Sequence, residues 1–293
     1  GLVSRPASHA GSWYDDRESV LRSQLEDLLT NTGQTTCNPN LKAIICPHAG
    51  YRFCGPTAAY GYHQIDPNRT NRIFVIGPSH HVYTERMNIT GANILETPLG
   101  NLVVDTEARQ NLIASGLFDV MNSSVDSEEH SLEMQFPFIA HMMREKPSCT
   151  VIPIMSGKLN SQTVSQYAEV LLPYFLDPEN LFMISSDFCH WGQRFRYTPY
   201  DESKGSIDRY INWLDHEAIK LIESLDHRGF AKYIKETKNT ICGQDPIKVL
   251  LELIQLSEKS YHSRCLHYSQ SSAAKNMQGS SVSYASLAVE EVH

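Results

Sequence analysis

Three histidines in this chain stand just past the ends of short apolar runs. Leu41–Cys46 leads into Pro47-His48-Ala49-Gly50, Arg72–Ile76 into Gly77-Pro78-Ser79-His80-His81, and Leu181–Ser185 into Ser186-Asp187-Phe188-Cys189-His190. Read as buried strands, these runs deliver His48, His80 and His190 to one side of a sheet. Ligand sites in open α/β sheets form in the crevice outside the carboxyl ends of the strands. A single histidine there would be read as a satisfied or surface imidazole. Three placed alike predict one polar site.

Cys242 is the next candidate. It sits in Asn239-Thr240-Ile241-Cys242-Gly243-Gln244-Asp245-Pro246, just before the apolar segment Ile247–Leu251. Asp245-Pro246 reads as the N-cap and first residue of a helix. A thiol near that end would feel the positive pole of the helix, which favours thiolate. Thiolate with imidazoles suits copper or zinc, and also accommodates iron. The plainer alternative is a buried cysteine acting as a small hydrophobe.

Other residues fit around such a centre. Asp187 could orient an imidazole and His190 could carry a proton. In Glu128-Glu129-His130-Ser131-Leu132-Glu133-Met134, Ser131 reads as a helix cap, with His130 and Glu133 facing the crevice. The acidic stretch Asp126–Glu129 reads as a solvated loop or helix start. Arg194 and Arg196, beside Phe195 and Tyr197, could grip an acidic or phosphorylated peptide, although a solvated loop is the simpler reading. His81 and Trp13 are candidates for the pocket wall.

The elements that must position these groups alternate between strand and helix. Helical spacing occurs at Asp15–Leu29 and Thr57–Ile65, and around 105–115, 131–143, 161–172, 208–224 and 246–256. A further strand, Val151–Met155, is expected near an edge because Pro153 cannot donate to a ladder. Val282–Val289 is expected to complete an edge. This pattern predicts an α/β fold with helices on both sheet faces. No break in composition divides the 293 residues, so one domain over 1–293 is expected.

Composition narrows the functions. Lys and Arg total 25 against 33 Asp and Glu, a net charge of −8, which disfavours nucleic acid or an anionic membrane as partner. No apolar run approaches the ~20 residues of a membrane span, and Gly1–Pro6 has no signal-like apolar stretch. The seven scattered cysteines form no disulfide framework and suggest a reducing compartment.

Six blocks of the sequence resemble the Memo family (mediator of receptor-driven cell motility). They are Ala7–Tyr14, Pro47–Tyr51, Gly77–His81, Glu129–Met134, Ser185–Gly192 and Asn239–Gly243, and a seventh, Ser280–Ala285, follows near the end. The resemblance implies one three-layer α/β/α domain with a mixed central sheet, similar to the LigB-like extradiol dioxygenases. It places the family's metal positions on His48, His80 and Cys242, with Asp187 and His190 nearby in catalytic roles. It implies a cytoplasmic effector, with the nucleus also open, that links growth-factor receptors to the cytoskeleton and motility. Its partners would be a phosphorylated receptor tail or adaptor peptide and cytoskeletal regulators. Its cofactor would be one copper or iron ion, with zinc also admissible, and its activity redox.

One departure bears on the chemistry. Dioxygenase relatives hold iron with two histidines and a carboxylate, whereas Cys242 stands where that carboxylate is needed. A soft, oxidisable thiolate favours copper and argues against ring cleavage. The alternative function is a non-enzymatic module that binds a phosphotyrosine or other signalling peptide in the same pocket.

Overall fold

Alternate residues of the apolar runs enter opposite cores, and this sets the layers. In the computed structural model, which describes residues 2–293, the strands are β1 (Ser4–Arg5), β2 (Leu41–Cys46), β3 (Arg72–Pro78), β4 (Met87–Ile89), β5 (Ile94–Leu95), β6 (Leu102–Val104), β7 (Phe118–Val120), β8 (Thr150–Ser156), β9 (Asn180–Ser185), β10 (His190–Trp191), β11 (Tyr261–Gln270) and β12 (Ser281–Glu291). The helices are α1 (Glu18–Thr30), α2 (Tyr51–Tyr62), α3 (Thr106–Ala114), α4 (Ser123–Glu128), α5 (His130–Glu133), α6 (Phe136–Met142), α7 (Ser161–Leu176), α8 (Ile207–Glu223), α9 (His227–Thr237) and α10 (Gln244–Ser257).

On β2, Ala43 and Ile45 pack with α3 and α7–α10, whereas Ile44 and Cys46 pack with α1, α2 and α6. Phe74 and Ile76 of β3 follow the first set, and Ile73 and Val75 the second. Strands covered on both faces read as unbroken apolar runs. The fold is therefore α/β, a 12-stranded mixed sheet between two helical layers. Its centre runs β6-β8-β3-β9-β2-β12, parallel from β6 to β2, with β12 antiparallel to β2. The carboxyl ends of β2, β3 and β9 are thus neighbours.

Two strands are interior, against the expectation that they lie at edges. β8 pairs with β3 along its whole length, Thr150 through Ser156. Its other side is shared by β6, which pairs at Thr150 and Val151, and β4, which pairs from Ile154 to Ser156. The Pro153 carbonyl accepts the Thr90 N–H at 3.2 Å on that side. The missing N–H of Pro153 therefore falls where one partner strand gives way to the other, and no ladder bond is lost. β12 lies between β2 and the unforeseen β11, whose Tyr-His-Ser-Arg-Cys composition lacks an apolar run.

The helices differ at their ends. α2 begins six residues before the expected Thr57, because Gly55 and Pro56 lie inside it. Gly55 lets α1 pack close: a Cβ would lie 2.8 Å from Leu28 Cδ1 and oblige that side chain to shift. The stretch 131–143 divides into α5 and α6, and α9 was not foreseen. All seven cysteines are free.

Candidate metal centre

His48 follows β2 and is buried; its ring is fixed by a chain of hydrogen bonds behind it. The Ser185 hydroxyl donates its only proton to the Ser131 carbonyl at 2.6 Å. It therefore accepts from the two remaining neighbours, Gln135 Nε2 at 2.9 Å and His48 Nδ1 at 2.8 Å. Gln135 is oriented in turn, donating to the Pro47 carbonyl at 3.0 Å and accepting from Tyr62. With Nδ1 carrying the proton, His48 Nε2 is left as a bare lone pair. It lies 3.2 Å from Cys242 Sγ.

His80, after β3, is held by Glu129. The His80 N–H donates to Oε1 at 2.6 Å and Nδ1 lies 2.8 Å from Oε2. Burial raises the Glu129 carboxyl, but the His80 bonds outweigh it and hold it down at about 2. An ionised carboxylate can only accept, so His80 Nδ1 donates and its Nε2 is the free donor atom. Donor atoms of His48, His80 and Cys242 all lie within 4.8 Å of one another.

Asp187 and His190 complete this end of the sheet. Asp187 accepts the His48 N–H on Oδ1 at 2.9 Å, and its own N–H donates to Cys242 Sγ at 3.3 Å. Burial raises the Asp187 carboxyl against the pull of His190. His190 Nδ1 faces two carbonyls, Phe188 at 2.9 Å and Thr240 at 3.2 Å, so it too carries its proton there and leaves Nε2 bare.

Two expectations about the Cys242 segment are corrected. α10 is capped at Gly243, and Asp245 is its second residue; the Asp245 carboxylate accepts the Leu159 N–H at 3.2 Å instead of capping. The Cys242 thiol is raised, not lowered, first by burial and then by the Asp187 carboxylate. As a thiol, Cys242 Sγ donates toward the bare His48 Nε2 at 3.2 Å.

A cleft of about 1050 Å³ opens above the cluster, lined by His48, His80, His130, Asp187, His190 and Trp13 among others. Cys242 borders a separate hollow of about 270 Å³ with Ser79 and Lys158. His130 stacks between His80, at 4.2 Å between ring centres, and Trp13, at 4.4 Å. Burial, with His48 and His80 close by, lowers its pKa to about 3. Arg194 lines the cleft with its guanidinium 4.4 Å over the Phe195 ring. Arg196 is exposed in a left-handed turn and does not line the cleft; nor does His81, which is exposed.

Glu133 does not face the crevice. It is buried behind α5, where it accepts from Arg5 at 2.6 Å, His9 N–H at 2.7 Å and Tyr14 hydroxyl at 2.9 Å. Its role is to hold the segment that carries Trp13. Ser131 does not cap α5 either, since Glu129 does, accepting the Ser131 N–H at 3.0 Å. Asp126 and Glu129 are both buried, not solvated.

The donor set fits a metal ion. Metal-bound histidines usually donate the other ring N–H to a carboxylate or other acceptor, which fixes the tautomer and aims the lone pair. Both His48 and His80 are arranged so, and both face a sulfur.

Comparison with known proteins decides the family. Residues 5–288 match the family model described as Memo-like protein. The chain belongs to the Memo-like family. It is 45% identical over 292 residues to Protein MEMO1 of Homo sapiens and 44% to that of Danio rerio, covering 98% of each chain. The Protein memo-1 homolog of Caenorhabditis elegans is 42% identical over 291 residues, 98% of this chain and 82% of that one.

Reading this Memo-like chain by sequence missed the residues behind the imidazoles: Ser185, Gln135 and Glu129. Gln135 carries no signal, being an uncharged residue between apolar neighbours, and Ser185 reads only as the end of an apolar strand. Glu129 does carry one, as an acid directly before a short helix, where a cap belongs.

Proposed function

We propose that this chain is a Memo-type cytoplasmic effector, also open to the nucleus, that carries one copper or iron ion on His48, His80 and Cys242. The observation behind this reading is that both histidines have Nδ1 committed to acceptors while Nε2 is free near one sulfur. A bound ion would supply one-electron chemistry and draw the Cys242 proton off as it binds. His190, with Nδ1 held by two carbonyls, accepts a proton at Nε2 from a group in the cleft. Asp187 holds the His48 backbone and so the ring's approach to the sulfur. Residues 1–293 act as one domain in this reading, coupled to growth-factor-receptor and cytoskeletal partners as the family resemblance implies.

The alternative is a peptide-binding module without turnover, which the size of the cleft and the stacked Arg194–Phe195 pair at its rim favour. X-ray absorption of the copper- or iron-loaded protein separates the two. One sulfur and two imidazoles around the ion support the metal reading; a shell of oxygen ligands alone contradicts it.

A further inference from the structure

Asp215 lies on α8, fully buried and outside the cleft lining. Its carboxylate collects three donors from separate parts of the chain. Oδ1 accepts the Cys189 N–H at 3.2 Å and the Asn239 side-chain amide at 3.1 Å, and Oδ2 accepts the Tyr268 hydroxyl at 2.6 Å. Cys189 immediately precedes His190, and Asn239 leads through Thr240 and Ile241 into Cys242.

The two segments meet again nearer the cleft. The His190 N–H donates to Thr240 Oγ1 at 2.6 Å, the Gly243 N–H to Ser186 Oγ at 2.9 Å, and the Asp187 N–H to Cys242 Sγ at 3.3 Å. One oxygen of one carboxylate thus fastens the base of both segments that present Asp187, His190 and Cys242. Among the described residues Asp215 has no cationic partner within ion-pair distance. Burying a carboxylate with no countercharge is costly, and an apolar side chain of similar volume would serve packing as well or better. Hydrogen-bonding reach to both segments is what such a side chain would lack.

We propose that Asp215 is a positioning residue, acting through Cys189 and Asn239 to set His190 and Cys242 for the metal centre; this rests on the metal reading given above. The test compares Asp215→Ala, Asp215→Asn and Tyr268→Phe, using cobalt(II) alone as the probe in metal-free, reduced protein. Asparagine keeps an Oδ1 acceptor and alanine does not. Tyr268→Phe removes the Oδ2 contact, together with the hydroxyl's contacts to Ser283 and Gln270, and leaves both Oδ1 contacts in place, so it serves as the control for lost stability.

The expected result is that Asp215→Ala weakens cobalt binding at least about tenfold and diminishes the thiolate-to-cobalt charge-transfer band. Asp215→Asn restores both, and Tyr268→Phe keeps both despite a lower Tm. Without metal, alkylation of Cys242, followed by peptide mass, should be roughly tenfold faster in Asp215→Ala only. If Asp215→Ala and Tyr268→Phe lose stability alike while band, affinity and alkylation rate stay at wild-type values, the proposal is overturned. Should Asp215→Ala fail to fold, Asn239→Ala decides in its place: the same changes support the brace and none overturns it. If the wild-type protein binds no cobalt, the metal reading fails, and the alkylation rates still decide the role of Asp215.

Discussion

His80 is bound twice by Glu129: its backbone N–H meets Oε1 at 2.6 Å and its ring Nδ1 meets Oε2 at 2.8 Å. One carboxylate thereby fixes both where the residue sits and which way its ring turns. Glu129→Gln keeps the shape but removes the charge that commits Nδ1 to donating. Metal affinity should fall about 10- to 100-fold, with stability changed far less. Competitive titration with a chromogenic chelator measures the first and urea unfolding the second. Unchanged affinity would mean that the ion does not depend on His80.

Metal-free protein should lose stability as pH falls below neutral. His130 has its folded pKa lowered to about 3 from 6.5, and that of His48 is lowered as well. Between those values the unfolded chain binds protons that the folded chain does not, so stability drops as pH falls through this window. His130 contributes about 1–2 kcal/mol of loss between pH 7 and pH 5. Urea midpoints at the two pH values check it, and His130→Gln should flatten the difference. Glu129 and Glu133, both held at about 2, extend the loss from pH 4.5 down toward 2.

Glu133 should be the most costly single loss at the N-terminal segment. It is buried and accepts from Arg5, His9 and Tyr14, so Glu133→Ala takes one of two carboxylate partners from a buried guanidinium. Breaking such a pair costs about 3–5 kcal/mol, less whatever Asp126 retains of Arg5 at 2.9 Å. Denaturant unfolding measures it, with Trp13 emission reporting release of the segment. A cost under about 1 kcal/mol would mean that the segment is held some other way.

Gly243 is required by close approach. A Cβ there would overlap Ser186 and come within 2.6 Å of the Ser185 carbonyl. Gly243→Ala should destabilise by about 1–3 kcal/mol and displace the adjacent Cys242, weakening metal binding. Equal stability and affinity in the variant would contradict the packing described.

What the sequence made legible was the site's framework. β2, β3 and β9 are covered on both faces, so their burial is written as apolar runs, and the histidines at their ends follow from position alone. The partners behind the rings were not legible. Asp126 and Glu129 share a stretch with exposed Glu128, and composition cannot tell an acid paired to His80 from one in water. β11 was missed because its side chains are mostly half-exposed and polar, and Pro153 misled because only the switch from β6 to β4 explains its tolerance.

The most direct test is the stoichiometry and affinity of copper(I) and iron(II) for reduced, tag-free protein, beside Cys242→Ser and His80→Ala. The account predicts one ion per chain, bound tightly by wild type and lost or greatly weakened in both variants. Equal binding by all three proteins, or none by wild type, would contradict it and leave the cleft above His48 as a binding pocket.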